Sequence, residues 1–246
     1  MVGIILAAGI AARLKPLTDN TPKCLLKVND REILFYALDN LKKNNIRKVI
    51  IVTGFLKEKI EEFVEREFPR MDVTFIYNKD YANTNNAFSL LLTNEYVKED
   101  FILMDSDIIF SPRIIPLLLN NNNGVQLAIK KHDLSEEEIK VIMNEDNRIS
   151  SIGKWVEIER AYGESIGIEY FPENSGRLLF EKLQKRVVNE KRINEFYEFS
   201  FQEMIEDGAD YYGVDINDLD AIEIDYSQDL KNAEKIINDK KIFSRV

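Results

Sequence analysis

Cysteine and histidine are nearly missing from this chain. Its 246 residues hold one of each, Cys24 and His132. A single cysteine forms no intrachain disulfide, and a zinc site built on several cysteines has no ligands. A single histidine excludes mechanisms that need two. Glycine, at 10, and proline, at 6, are scarce as well, which removes the collagenous and low-complexity classes. An excess of positive charge is also lacking: 33 Lys and Arg against 43 Asp and Glu leave −10. General affinity for nucleic acid or for an anionic membrane surface is therefore not expected. Long apolar runs are missing too. The run at residues 4–12 is interrupted by Gly9, is followed by Arg13 and has no basic leader. It is too short to span a bilayer or to serve as a signal peptide. The chain reads as cytoplasmic, with no stable membrane association.

What is present is enough apolar material for a real core, 45% of the residues. The length suits one domain over residues 1–246. Apolar runs at 1–8, 48–52, 73–77 and 100–104 predict strands. Helical spacing at 33–44 and 57–68, and a loop that becomes a helix over 83–92, fall between them. That alternation predicts a parallel sheet with crossover helices, with ligands held beyond the carboxyl ends of the strands. The second half changes texture. Strands are expected at 124–129, 139–143, 148–152, 166–171 and 220–224, and helices at 174–188, 198–207 and 229–240. The asparagine run at 120–123 reads as an exposed turn rather than a linker. Residues 1–110 would form a nucleotide-binding half and 111–246 an acceptor-binding half.

The loop after the first strand carries the strongest chemical signal. Ala7, Ala8 and Gly9 are small enough for a ligand to approach the backbone, whose amides donate to phosphate oxygens. Arg13 and Lys23 add a bidentate donor and a point charge, the pair a polyphosphate needs. No Gly-Lys-Ser/Thr follows, so this is not a Walker loop. Asp105 and Asp107 lie two apart at a strand end, an arrangement that suits a hard cation or a solvated turn. Glu223 and Asp225 end a later strand in the same way. The amide-rich stretch around Asn85, Asn86 and Ser89 reads either as a base-reading turn or as a helix N-cap.

Residues 6–28, LAAGIAARLKPLTDNTPKCLLKV, resemble the signature of the nucleotidyltransferases that join NTPs to sugar or alcohol phosphates, roughly LAAGxGxRLxPLTxxxPKxLLxV. One departure is Ile10-Ala11, where that family usually carries a second glycine. The resemblance implies a Rossmann-like α/β fold, a mixed, mainly parallel sheet flanked by helices. It implies that Leu6, Ala7, Ala8, Gly9, Lys23 and Asp105 contact the nucleotide. It gives Asp107 and Asp225 the role of holding Mg²⁺, and Arg13, Lys23 and Lys154 that of neutralising and aligning phosphates. The segment AIEIDYSQDLKNAE at 221–234 is similar to the family's C-terminal metal segment.

Two further stretches bear on the substrates. NKDYANTNNAFSL at 78–90 resembles bacterial phosphocholine cytidylyltransferases and, as far as YANT, aminoethylphosphonate cytidylyltransferases. The resemblance implies CTP, read by Asn85, Asn86 and Ser89. EFYEFSFQ at 195–202 is similar to the acceptor segment of the choline enzymes. A cationic head group wants aromatic rings and carboxylates, and Trp155, Glu164, Tyr197 and Glu198, with the backbone at Gly167, are the candidates. The expected partners are CTP, or another NTP, and a small phosphorylated acceptor. The alternatives are a sugar-1-phosphate or inositol-1-phosphate nucleotidyltransferase, and a regulatory nucleotide-binding subunit. Arg13, Lys23, Asp107 and Asp225 together speak against the last.

Overall fold

The structure is a computed structural model that describes residues 1–120 and 124–240. β1 (Val2–Ala7) opens the chain and is buried at every position. A loop with two short 3₁₀ turns leads to a small ladder of β2 (Lys27–Val28) and β3 (Arg31–Glu32). α1 (Ile33–Lys43), β4 (Lys48–Thr53), α2 (Lys57–Glu67), β5 (Asp72–Tyr77), α3 (Asn86–Leu91) and β6 (Phe101–Asp105) follow. The second half holds β7 (Ile108–Phe110), α4 (Ile114–Leu119), β8 (Val125–Lys130), β9 (Lys140–Met143), β10 (Ile149–Gly153) and β11 (Gly163–Phe171). It closes with α5 (Glu173–Leu183), α6 (Glu198–Glu206), β12 (Tyr211–Asp215), β13 (Ala221–Glu223) and α7 (Ser227–Lys240).

Nine strands form one sheet, in the order β10-β9-β11-β6-β1-β4-β5, with β8 joined to β11 and β12 to β8. β6, β1, β4 and β5 run parallel, while β11 is antiparallel to β6, β8 and β9. The expected mixed sheet flanked by helices is therefore what forms. β1 is apolar at both parities because both faces are covered. Ile5 packs with Leu34 and Leu38 of α1 and Ile60 and Phe63 of α2. Ile4 and Leu6 pack on the other face with Leu90, Leu179 and Phe201.

β7, α4, β12 and α5 differ from the sequence expectation. β7 and α4 lie in the apolar run 108–119, whose lack of period hides both. β12 reads weakly because Gly213 interrupts five residues. The helix expected at 174–188 is α5 continued by a π-helical segment, Gln184–Asn189. Of the expected turn at 120–123, residues 121–123 lie outside the described residues. β7 matters most: it pairs antiparallel with β13, setting Ile108 opposite Glu223. That short ladder brings the end of the chain to the end of β6. Among the described residues no helix is long and apolar enough to cross a membrane.

Candidate active site

A cavity of about 330 Å³ opens at the carboxyl ends of β1 and β6. Leu6, Ala7, Ala8, Gly9, Arg13, Lys23, Asn85, Asn86, Ser89, Asp105, Asp107, Glu223 and Asp225 all line it. The structure thus brings together every residue assigned above to nucleotide, phosphate or metal except Lys154. β1 and β6 are neighbours, with Leu6 paired to Asp105, so the phosphate loop and the first acidic turn leave the sheet side by side. Gly54, ending β4, lets the loop pass close: a Cβ there would lie 2.4 Å from the Ala8 carbonyl oxygen. Ala11 takes a left-handed conformation, φ 51°, a region that favours glycine. Its carbonyl accepts from the Thr18 hydroxyl at 3.0 Å, which ties the turn back to the following segment.

The charges are arranged as a cation between acids. The Lys23 ammonium lies 2.7 Å from Asp107 Oδ2 and 2.6 Å from Asp225 Oδ1. Burial alone would lower its pKa, but Asp107 and Asp225 outweigh that and hold it above the usual lysine range. Arg13 Nη1 is 3.2 Å from Asp225 Oδ2 and donates to the Tyr226 hydroxyl at 3.2 Å. Asp225 is held in turn by its neighbours. The Ile224 amide donates to the Asp107 carbonyl, and Asp229 Oδ2 accepts from the amides of Asp225 and Tyr226 at 3.0 and 2.7 Å. Asp229 therefore caps α7 and fixes the acid before it.

These acids suit a hard cation. Asp107, Glu223 and Asp225 each offer an oxygen, all within 4.8 Å of one another. Asp107 Oδ1 is buried and has no hydrogen-bond partner among the described residues. Burial first, then Asp107 and Asp225, push the Glu223 carboxyl up to about 9, which a divalent cation beside it would reverse. An all-oxygen donor set of this kind matches the chemistry of Mg²⁺.

The asparagine turn is built as an N-cap as well as a cavity wall. Asn85 Oδ1 accepts from the Asn86 amide at 2.8 Å, capping α3. Asn86 Oδ1 accepts from the Tyr197 amide at 2.9 Å. Asn78 braces the segment, donating to Thr84 Oγ1 at 3.0 Å and to Ser89 Oγ at 3.1 Å. Tyr81 and Thr84, within the segment 78–90, and Ser106 also line the cavity, although none was given a role from the sequence.

Trp155, Glu164, Tyr197 and Glu198, the expected acceptor group, do not line this cavity. Tyr197 is fully buried and packs on Phe201 at 5.0 Å between ring centroids. Trp155 stacks on Phe199 at 4.6 Å and lines a separate cavity near α6. Glu164 pairs with His132 at 2.6 Å. The physical reason is competition: Tyr197 finds its partners in the core, while the exposed Trp155 finds one in Phe199. Lys154 stands outside the lining of the main cavity. Its ammonium is 3.2 Å from Glu137 and 5.0 Å from the Phe196 ring centroid. Gly167 sits beside the site at φ 68°, where a Cβ would lie 2.7 Å from Asp105 Oδ2. Glu169 was missed by sequence reasoning; an acid at the centre of the apolar strand SIGIEYF was its signal.

The His132–Glu164 pair gives a pH prediction. The hydrogen bond that His132 donates to Glu164 raises the His132 pKa; partial burial opposes it and the Glu164 charge adds to it. A raised folded-state value means the stabilisation is complete below the unfolded value, about 6.5, and is lost as pH rises through the folded one. His132→Gln should therefore lower the melting temperature at about pH 5.5 and leave it unchanged at about pH 9. An equal loss at both pH values would show that the pair carries no charge linkage.

A family model described as nucleotidyl transferase matches residues 2–153. The chain belongs to that family. The choline-phosphate cytidylyltransferase of Streptococcus pneumoniae is 25% identical over 98% of this chain and all of its own length. The CTP:phosphoglutamine cytidylyltransferase of Campylobacter jejuni is also 25% identical, over 94% of this chain and 98% of its own. The solved structure of the CTP:phosphocholine cytidylyltransferase from Streptococcus pneumoniae superposes with a TM-score of 0.82 at 25% identity, over 96% of this chain and 99% of that one. In this nucleotidyltransferase, Arg13 and Lys23 lie in the first segment whose resemblance announced the family, and Glu223 and Asp225 in the C-terminal one.

Proposed function

We propose that this nucleotidyltransferase joins CTP to a small phosphorylated alcohol or phosphonate and releases pyrophosphate. The supporting observation is the cavity in which Arg13 and Lys23 stand beside Asp107, Glu223 and Asp225 at the end of the phosphate loop. The choice of CTP draws on the two relatives aligned along nearly their whole length, both cytidylyltransferases by name. Residues 1–110 supply most of the cavity wall and would hold the nucleotide; residues 111–246 would hold the acceptor.

The reaction needs little acid–base chemistry. A phosphate oxygen of the acceptor attacks the α-phosphorus of CTP in line, and the bond to the bridging oxygen breaks as pyrophosphate leaves. A phosphate with a second pKa near about 6 is already ionised at neutral pH, so no general base is required. The work is alignment and charge neutralisation. Amides of residues 7–9 and the Arg13 and Lys23 side chains would bind the triphosphate, and Asn85, Asn86 and Ser89 would border the base. Asp107 and Asp225, with Glu223 beside them, would hold Mg²⁺. When bound, it would offset charge on the phosphates. Lys154 would have to leave Glu137 to reach an acceptor phosphate.

The test is pyrophosphate release over a matrix of CTP, UTP, GTP and dTTP with phosphocholine, aminoalkyl phosphates and phosphonates, hexose-1-phosphates and inositol-1-phosphate. CTP with a member of the aminoalkyl group should give the highest kcat/KM, and EDTA should abolish it until Mg²⁺ is restored. A higher kcat/KM for a neutral sugar or inositol phosphate would replace this acceptor assignment.

A further inference from the structure

Three carboxyl side chains meet beneath the cavity. Asp105 ends β6, Glu169 lies in β11 and Glu198 opens α6. Glu169 is 1% exposed and Glu198 5%. Glu169 Oε2 and Glu198 Oε2 are buried and have no hydrogen-bond partner among the described residues. β11 pairs with β6 so that Glu169 stands opposite Leu103, two residues before Asp105, and Glu198 follows Tyr197, whose hydroxyl reaches Asp105. Burial first, then Asp105 and Glu198, raises the Glu169 pKa well above the carboxylate range. Burial pushes Glu198 up to about 7, offset in part by Lys154. Asp105 Oδ2 accepts from the Tyr197 hydroxyl at 3.3 Å. Gly167, with no side chain, leaves that oxygen clear on the β11 side.

Buried carboxyl oxygens without donors are costly, and a ligand that supplies donors recovers that cost. Of the three, Asp105 lines the main cavity, and Glu169 and Glu198 lie behind its wall. The missing partner is therefore a group carrying N–H donors and positive charge. A primary ammonium has three such donors. A trimethylammonium has none and depends on open ring faces, but Tyr197 and Phe201 are closed in the core and the exposed Trp155 lines a separate cavity. We propose that Asp105, Glu169 and Glu198 receive the primary ammonium of the acceptor, so that a phosphorylated or phosphonylated primary amine is preferred over its trimethylammonium counterpart. The inference rests on the reading above, that the cavity transfers a nucleotidyl group to a small phosphorylated acceptor. With the ammonium at the acids, the phosphate end extends toward Arg13 and Lys23.

The experiment uses the full chain with CTP and Mg²⁺. Pyrophosphate release is measured with 2-aminoethyl phosphate and its mono-, di- and trimethylated derivatives, and with 2-aminoethylphosphonate. kcat/KM should fall with each methyl group, through KM more than kcat. Glu169→Gln should raise KM for the primary amine by roughly tenfold, leave KM for CTP unchanged and flatten the methylation series. Glu198→Gln, scored in the same way, stands in should the first variant fold poorly, and the wild-type series decides by itself. A trimethylated acceptor used as well as or better than the primary amine overturns the proposal, as does a folded Glu169→Gln with an unchanged acceptor KM. Either outcome leaves cytidylyl transfer standing. Turnover of sugar phosphates alone, with none from the amine series, overturns both readings.

Discussion

Asp225→Ala is expected to lower kcat by about a thousandfold while the folded content and melting transition stay close to wild type. A bound divalent cation supplies several kcal/mol of charge stabilisation on the reacting phosphates, and each 1.36 kcal/mol is tenfold in rate. Asp225 stands at the start of α7, where Asp229 accepts from its amide, so its carboxylate can be removed without disturbing the cap that positions the segment. Asp107→Ala should behave in the same way, because its free Oδ1 offers the complementary oxygen. Steady-state kinetics over a Mg²⁺ titration checks both. Near-normal turnover at low Mg²⁺ in either variant would remove that residue from the metal set.

Lys23→Ala should give the second large effect, on binding as well as on rate. Its ammonium touches two acids and is only 14% exposed. That shielding from solvent makes its charge count more toward an incoming triphosphate than a surface lysine's would. Charge builds on the leaving pyrophosphate, so losing the cation should weaken CTP binding and reduce kcat by about 10²–10³-fold, the range seen when one fixed donor is removed from such a site. The variant also leaves Asp107, Glu223 and Asp225 mutually repelling, so added Mg²⁺ should raise its melting temperature more than that of the wild type. Calorimetry with unchanged CTP affinity, together with unchanged turnover, would take the phosphate loop out of the site.

The phosphate loop and both acidic strand ends were legible in the sequence because each is a local pattern. The run 1–8, the small residues after it and the spacing of Arg13 and Lys23 belong to one continuous segment. β1, β4, β5 and β6 were legible for the same reason, as apolar runs long enough to fill a doubly covered sheet. β7, α4 and β12 were not. β7 and α4 share one apolar stretch without a distinguishing period, and β12 is broken by a glycine. The acceptor side was legible only as composition. An aromatic and acidic segment can build a cage or fill a core, and the same letters serve both.

The sequence by itself placed the small-residue turn together with Arg13 and Lys23, since that pattern needs only neighbours along the chain. It also determined the order of strands and helices in the first half, through period and run length. The tertiary structure decided what depends on distant segments. The β7–β13 ladder carries Glu223 and Asp225 across nearly half the chain to Asp107. The sheet's turn at β11 sets Glu169 and Gly167 beside Asp105. Packing sends Tyr197 inward and Trp155 onto Phe199. The physical reason is that a carboxylate's role depends on which charges and donors surround it and how far water is excluded, and those are set by contacts far apart in the chain.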